Sequence, residues 1–283
     1  MTIAKLRVIY INTKTIKLLK KDNFMPFISA PAKIVEIIDF APGEIRAVRL
    51  KLPDDVEVKA RPGNAFWLKL FGKASGRLEM RTYSFSSNPR SPIIETVVSK
   101  AAENPNTSWA FQEFLSGTEL EARISEQNGK KSLFINPRKD LELEPDDWWQ
   151  DKKFLFYGLG TGVTPHLSAI RYMAEKGMNV NVIYVSSSKL MRRLIFHDEL
   201  ENTQKRFPQN FRYLPFLTRE NPETLKEWKY FTGRPTVEAL TKLIPDISER
   251  HLRICGGKGT RKNLEKEANK FKINFPGVKT EEW

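Results

Sequence analysis

The 283-residue sequence has a single cysteine, Cys255, and three histidines, His166, His197 and His251. One thiol excludes an internal disulfide framework and a cysteine-ligated iron–sulfur cluster held by these residues alone, and it suits a reducing compartment. The histidines are far apart in sequence and show no metal-ligand spacing, so no metal site is expected. His197 and His251 read as surface or helix positions, whereas His166, at a helix start, lies within reach of a bound phosphate. No serine sits in a nucleophile elbow, which removes acyl-transfer chemistry of the Ser-His-Asp kind. No apolar run approaches the roughly 18 residues that span a bilayer. Acidic side chains are missing from residues 1–21, where Lys5, Arg7, Lys14, Lys17, Lys20 and Lys21 stand alone. That segment reads as a basic arm, loosely similar in composition to a transit peptide, and the expected location is cytoplasmic with organellar targeting left open.

Positive charge is abundant: 47 Lys and Arg against 34 Asp and Glu, a net charge of +13. It is uneven, with 23 basic and 19 acidic residues in 1–150 and 24 and 15 in 151–283. Such an excess attracts an anionic ligand or partner. Nucleic acid is not the expected one, since the aromatic residues form no recognition motif.

The two halves follow different patterns. From Ala32 to Asn136, short alternating segments (AKIVEIIDF, IRAVRLKL, AFWLKLF, RTYSFSS, IIETVVSK, ELEARISE) are separated by turn residues, and one helix is expected near 108–115. This implies an antiparallel β-barrel or sandwich, of which the barrel is the expected one. In the second half, strands at 154–157, 180–187, 211–218 and 251–256 alternate with helices at 165–176, 189–206, 236–244 and from Arg261. Alternation of this kind implies a parallel α/β sheet with crossover helices. The boundary falls in the acidic segment 140–153, giving a basic arm (1–31), a barrel domain (32–150) and an α/β nucleotide-binding domain (151–283).

The stretch YGLGTGVTPHLSAI (157–170) joins the first parallel strand to its helix. It is neither a P-loop nor the standard dinucleotide fingerprint, because Val163 stands where a third glycine belongs. Gly160, Thr161 and Gly162 let a pyrophosphate approach the main chain, with Thr164 as N-cap and Pro165 as first helical residue. After the second strand, Ser187, Arg192 and Arg193 supply hydroxyl and guanidinium groups, and no acid appears before Asp198. A 2′-phosphate suits that set, which favours NADP(H) over NAD(H). Arg219, past the third strand, is a further phosphate candidate.

Arg81, Tyr83, Ser84 and Ser87 fit R-x-Y-S-x-x-S, and Gly158, Gly160, Thr161, Gly162 and Pro165 fit G-x-G-T-G-x-x-P. In this order, followed by CGGKG (255–259) and the ending PGVKTEEW (276–283), the chain resembles the ferredoxin–NADP(+) reductase family over residues 32–283. The resemblance implies a barrel that binds FAD, with Arg81 on the pyrophosphate, Tyr83 on one face of the isoalloxazine and Ser84 near N5. Ser87, Val98 and Lys100, with Thr107 and Ser108, would line the rest of the flavin site. Cys255 and Gly256 would help seat the nicotinamide, and Lys258 would contact the cofactor. Glu281 or Glu282 would act near the flavin, and Trp283 would stack on a flavin ring or on adenine. One departure is Pro105, where the family places a glycine; the ring removes a donor from the FAD pyrophosphate site.

The resemblance therefore implies hydride transfer from NADPH to FAD and onward electron transfer to a separate acidic acceptor, ferredoxin or flavodoxin. The alternatives are a reductase component of an oxygenase or other multi-subunit redox complex, and a non-catalytic flavin- or nucleotide-binding subunit.

Overall fold

The structure, a computed structural model, describes residues 27–72, 76–100, 111–112, 114–115, 117–136, 149–226, 228 and 230–282. Most of the basic arm, the expected cofactor residues Thr107 and Ser108, Pro105 and Trp283 lie outside the described residues, as does the side chain of Glu282.

The first half is an antiparallel sheet curled on itself. Its strands are β1 (Phe27–Ala41), β2 (Ile45–Lys51), β3 (Val56–Glu57), β4 (Ala65–Gly72), β5 (Arg77–Ser84), β6 (Ile93–Ser99), β7 (Glu119–Gln127), β8 (Lys130–Leu133) and β9 (Ile135–Asn136). The path runs β3-β8-β7-β1-β2-β6, with β4 joining β5, β7 and β9. Among the described residues of this sheet, only the β3–β8 pair is parallel. Every second residue of β7 is buried over Leu120, Ala122 and Ile124, so the period-2 pattern places one face inside. Phe66, Phe85, Phe114, Leu50 and Leu68 are less than 2 % exposed, and each such side chain stabilises the fold by about 1.5–3 kcal/mol. β1 begins earlier than the alternation suggests: Phe27 already faces Ser125 of β7, so residues 27–31 form strand where the sequence placed the end of the arm.

The second half is a six-stranded parallel sheet, ordered β13-β12-β11-β10-β14-β15. These strands are β10 (Lys153–Leu159), β11 (Asn181–Ser188), β12 (Phe211–Leu217), β13 (Phe231–Thr232), β14 (His251–Gly256) and β15 (Val278–Glu282). The helices are α1 (Val163–Glu175), α2 (His197–Arg206), α3 (Val237–Leu243) and α4 (Thr260–Lys270). β10 pairs with β11 on one side and β14 on the other. Strand order reverses there, and the crevice beyond those strand ends is where open α/β sheets take ligands.

The long helix expected at 189–206 is instead a 3₁₀ turn at Met191–Arg193 followed by α2. Leu194, Ile195 and Phe196 between them turn inward and are buried, and Phe196 adopts a left-handed conformation with φ 53°. Three consecutive apolar side chains cannot share one face of a helix, so burying all of them breaks it.

The halves share packing as well as a linker. One core contains Ala41, Ile45, Ala47 and Val97 of the barrel together with Phe154, Leu167, Ile170, Tyr184 and Phe196 of the nucleotide half. Charge reinforces it. Arg171 of α1 bonds Glu95 of β6 at 2.6 Å, the carbonyl of Ser86 at 2.9 Å and both carboxylate oxygens of Glu199 at 2.7 Å, while lying on the Phe196 ring.

Candidate functional site

The glycine loop follows β10. Gly160 has φ +57°, open to glycine and strained for other residues, and Gly160–Gly162 form a 3₁₀ turn that runs straight into α1. This moves the helix start two residues ahead of the expected one. Thr164 is not the N-cap: its hydroxyl donates to the Thr161 carbonyl at 2.6 Å, and Gly162 holds the cap position without a side-chain hydrogen bond. Pro165 consequently stands third in the helix, still in the first turn, where a missing N–H breaks no helical bond. The first-turn amides and the positive helix end are left for an anion. His166 does not reach that anion. It is 3 % exposed and stacks on Phe156 at 5.1 Å. Burial, reinforced by the Arg253 charge, lowers its pKa to about 3.

A cleft of about 690 Å³ opens above these strand ends, and Gly160, Thr161, Ser187, Arg193, Arg234 and Thr260 help line it. Ser187 is buried at the end of β11, whereas Lys189, Arg192 and Arg219 are exposed. The loops after β11 and β12 are tied by backbone bonds from Thr218 to Ser188 and from Arg219 to Lys189, both 2.9 Å. Arg192 and Arg193 do not stand free. Both bond the carboxylate of Glu44, Arg192 at 3.2 Å, from the β1–β2 turn of the barrel. Neither Glu44 nor Arg234 was expected from sequence. Arg234 had a local signal, a cation in the Gly-Arg-Pro turn before α3; Glu44 had none, because it arrives from the other domain.

The barrel contributes β5. Ser84, its last residue, donates to Glu281 of β15 at 2.8 Å, and its carbonyl accepts from Thr96 at 2.8 Å. Glu281 lies opposite Cys255 in the β14–β15 register, and Cys255 lies opposite Gly158 in the β10–β14 register. Ser84, Glu281, Cys255 and the glycine loop, spread over the sequence, thus converge. Of the two expected acids, Glu281 meets Ser84, and the side chain of Glu282 lies outside the described residues. Cys255 is 1 % exposed, Gly256 is also buried, and Lys258 is exposed in the following turn.

Tyr83 meets Phe114 edge-on at 5.4 Å, and burial raises its phenol pKa, keeping it neutral. Arg81 pairs with Glu79 two residues earlier on β5, at 2.8 Å. The Arg81 Nε is buried and has no partner among the described residues. An unspent guanidinium N–H beside a half-buried tyrosine and Ser84 fits the flavin that the resemblance implies; Glu79 competes for the same guanidinium. Ser87 and Val98 fit it less well. The Ser87 hydroxyl accepts from the Glu95 amide, its carbonyl accepts from Ser168, and the Val98 side chain lies in the barrel core. Lys100 is exposed, and its amide bonds the Glu44 carbonyl at 2.8 Å.

Residues 156–266 match the family model described as an oxidoreductase NAD-binding domain. Among curated proteins, the chain is 29 % identical over 197 residues to the glycine betaine monooxygenase reductase subunit of Chromohalobacter salexigens, covering 69 % of this chain and 48 % of that one. It spans about half the length of that relative. Among solved structures, it matches the cytochrome P450 reductase GcoB of Amycolatopsis with TM-score 0.69 and 20 % identity, over 91 % of this chain and 70 % of that one. A ferredoxin NADP+ reductase from Neisseria gonorrhoeae with bound FAD and NADP matches with TM-score 0.63 and 19 % identity, over 90 % and 98 %. The barrel and parallel sheet are the two-domain fold these structures share with the chain.

Proposed function

We propose that the chain is a member of the ferredoxin–NADP(+) reductase family and the reductase component of an oxygenase system, a reading supported by its two-domain fold and its NAD-binding domain. In this reading it takes hydride from NAD(P)H onto FAD and delivers electrons to a separate iron–sulfur or haem acceptor. Sequence motifs alone put ferredoxin or flavodoxin first as acceptor. The names carried by its relatives, a monooxygenase reductase subunit and a cytochrome P450 reductase, favour the oxygenase reading.

The observation that carries the redox reading is the Ser84–Glu281 hydrogen bond, which joins the last residue of β5 to the strand beside Cys255. Bound FAD would supply a hydride acceptor that releases electrons singly or in pairs. Arg81 would hold its pyrophosphate and Tyr83 would flank its ring. Ser84 Oγ, oriented by Glu281, would present a fixed polar contact where the nicotinamide arrives, while Cys255 and Gly256 keep that surface dry and narrow. The Gly160–Gly162 turn and α1 would hold the dinucleotide pyrophosphate. These groups supply orientation, which lowers the barrier by removing the cost of bringing donor and acceptor together.

Purified protein tests this directly. FAD should bind and its visible absorbance should bleach on anaerobic addition of NAD(P)H; Ser84→Ala should slow bleaching by roughly 10²-fold while FAD stays bound. Reduction of an oxygenase iron–sulfur component, ferredoxin and flavodoxin, compared at low and high salt, ranks the acceptors. A protein that binds no FAD, or binds it and is not reduced, ends the proposal.

A further inference from the structure

In dinucleotide-binding sheets, an acid at the end of the second strand selects a ribose with free hydroxyls, and cations there select a 2′-phosphate. Here the second strand ends in Ser186, Ser187 and Ser188, Lys189 follows it, and the first acid after the strand is Asp198. Space supplies what the strand does not. Glu44, in the turn between β1 and β2, receives Arg192 at 3.2 Å and Arg193 in a closer contact.

The turn is held in place on its far side. The amide of Lys100 bonds the Glu44 carbonyl at 2.8 Å, and Ile45 pairs with Ser99 at the start of the β2–β6 ladder. Ile45 and Ser99 also line the cleft together with Ser187, Ser188, Lys189 and Arg193. The barrel therefore presents the carboxylate beside the cleft, on Arg193 of the cleft lining and on its neighbour Arg192, a guanidinium pair that suits a phosphate ester.

We infer that Glu44 sets the nucleotide selectivity of the cleft, by competing with a 2′-phosphate for Arg192 and Arg193. This rests on the nucleotide-binding part of the proposed function. A 2′-phosphorylated nucleotide has to take both arginines from Glu44 and sit close to its negative charge; a nucleotide with a free 2′-hydroxyl leaves the contact intact. Glu44 thereby holds down the preference for the phosphorylated form, and the selectivity of the nucleotide domain is set by a residue of its neighbour.

The test needs neither flavin nor hydride transfer. Adenosine 2′,5′-bisphosphate and adenosine 5′-monophosphate are titrated into the full-length protein, and the ratio of their dissociation constants is compared with that of Glu44→Gln. Removing a charge that close to two guanidinium groups should shift the ratio about tenfold toward the bisphosphate at low salt, and less at high salt. Glu44→Asp, which withdraws the carboxylate by one methylene, should give an intermediate ratio, and Arg193→Gln should shift it the other way. A ratio unchanged in Glu44→Gln while both nucleotides bind overturns the role of Glu44 alone. A ratio that falls assigns Glu44 to organising the arginines and also overturns it. Failure of both nucleotides to bind the unaltered protein overturns the nucleotide reading and this inference together.

Discussion

Gly158 looks in the sequence like one of the phosphate-binding glycines, yet its neighbours give it another task. A Cβ there would lie 2.8 Å from the Tyr184 hydroxyl, 3.1 Å from the Gly162 carbonyl and 3.1 Å from His166 Nδ1. It is glycine because the strand end, the helix start and two buried rings close on it. The motif was legible in the sequence; the crowding was not, because Tyr184 comes from the next strand and no spacing encodes it. His166 in the same cluster carries a pH dependence. Its pKa is about 3 in the fold against 6.5 for a free side chain. Above pH 6.5 the ring is neutral in both states and contributes no pH dependence. As pH falls below 6.5 the unfolded chain takes up a proton that the fold refuses, and stability drops by up to about 1.4 kcal/mol per pH unit from this group. Urea unfolding at about pH 7 and about pH 5 should show the loss, and His166→Phe should reduce it; equal slopes in both proteins would assign the acid limb to other groups.

Elements were legible where periodicity was strong. The barrel strands and the four main strands of the parallel sheet fall close to where alternation and apolar runs placed them. The segment 189–206 misled because Leu190, Leu194 and Ile195 have helical spacing, while the burial of Phe196 beside them requires a break. β15 was read only as a family-like ending; it is a strand because its backbone completes the sheet edge beside β14, a long-range pairing invisible locally. Between elements, α1 is fastened to the barrel through Arg171, whose side chain is 18 % exposed against 2 % for Glu95. Removing the cation leaves the buried carboxylate with Arg49 at 2.8 Å and the Ser86 hydroxyl at 2.7 Å as partners. Arg171→Met also removes the bonds to Glu199 and the Ser86 carbonyl and should cost about 2 kcal/mol in denaturant unfolding; a variant within about 0.5 kcal/mol of the parent, a threshold set by ordinary surface substitutions, would show that the junction does not depend on this charge.

At the scale of the molecule, composition indicated two domains and did not indicate how deeply they share a core. Ala41, Ile45, Ala47 and Val97 belong to barrel strands and pack with the helices and sheet of the other half. With that shared core and the Arg171 contacts, the two halves should unfold in one cooperative step: calorimetry of the apoprotein should give a single transition with matching calorimetric and van't Hoff enthalpies. Two resolved transitions would instead make the halves independent units. The Glu44 contact carries the same lesson into protein engineering. Modular redesign treats a nucleotide domain as a cassette, cut at its linker and moved to a new host. Cut from this chain, residues 151–283 would leave behind the carboxylate that now meets Arg192 and Arg193. The transplanted sequence would be unaltered, but its charge at the ribose would be that of a different domain.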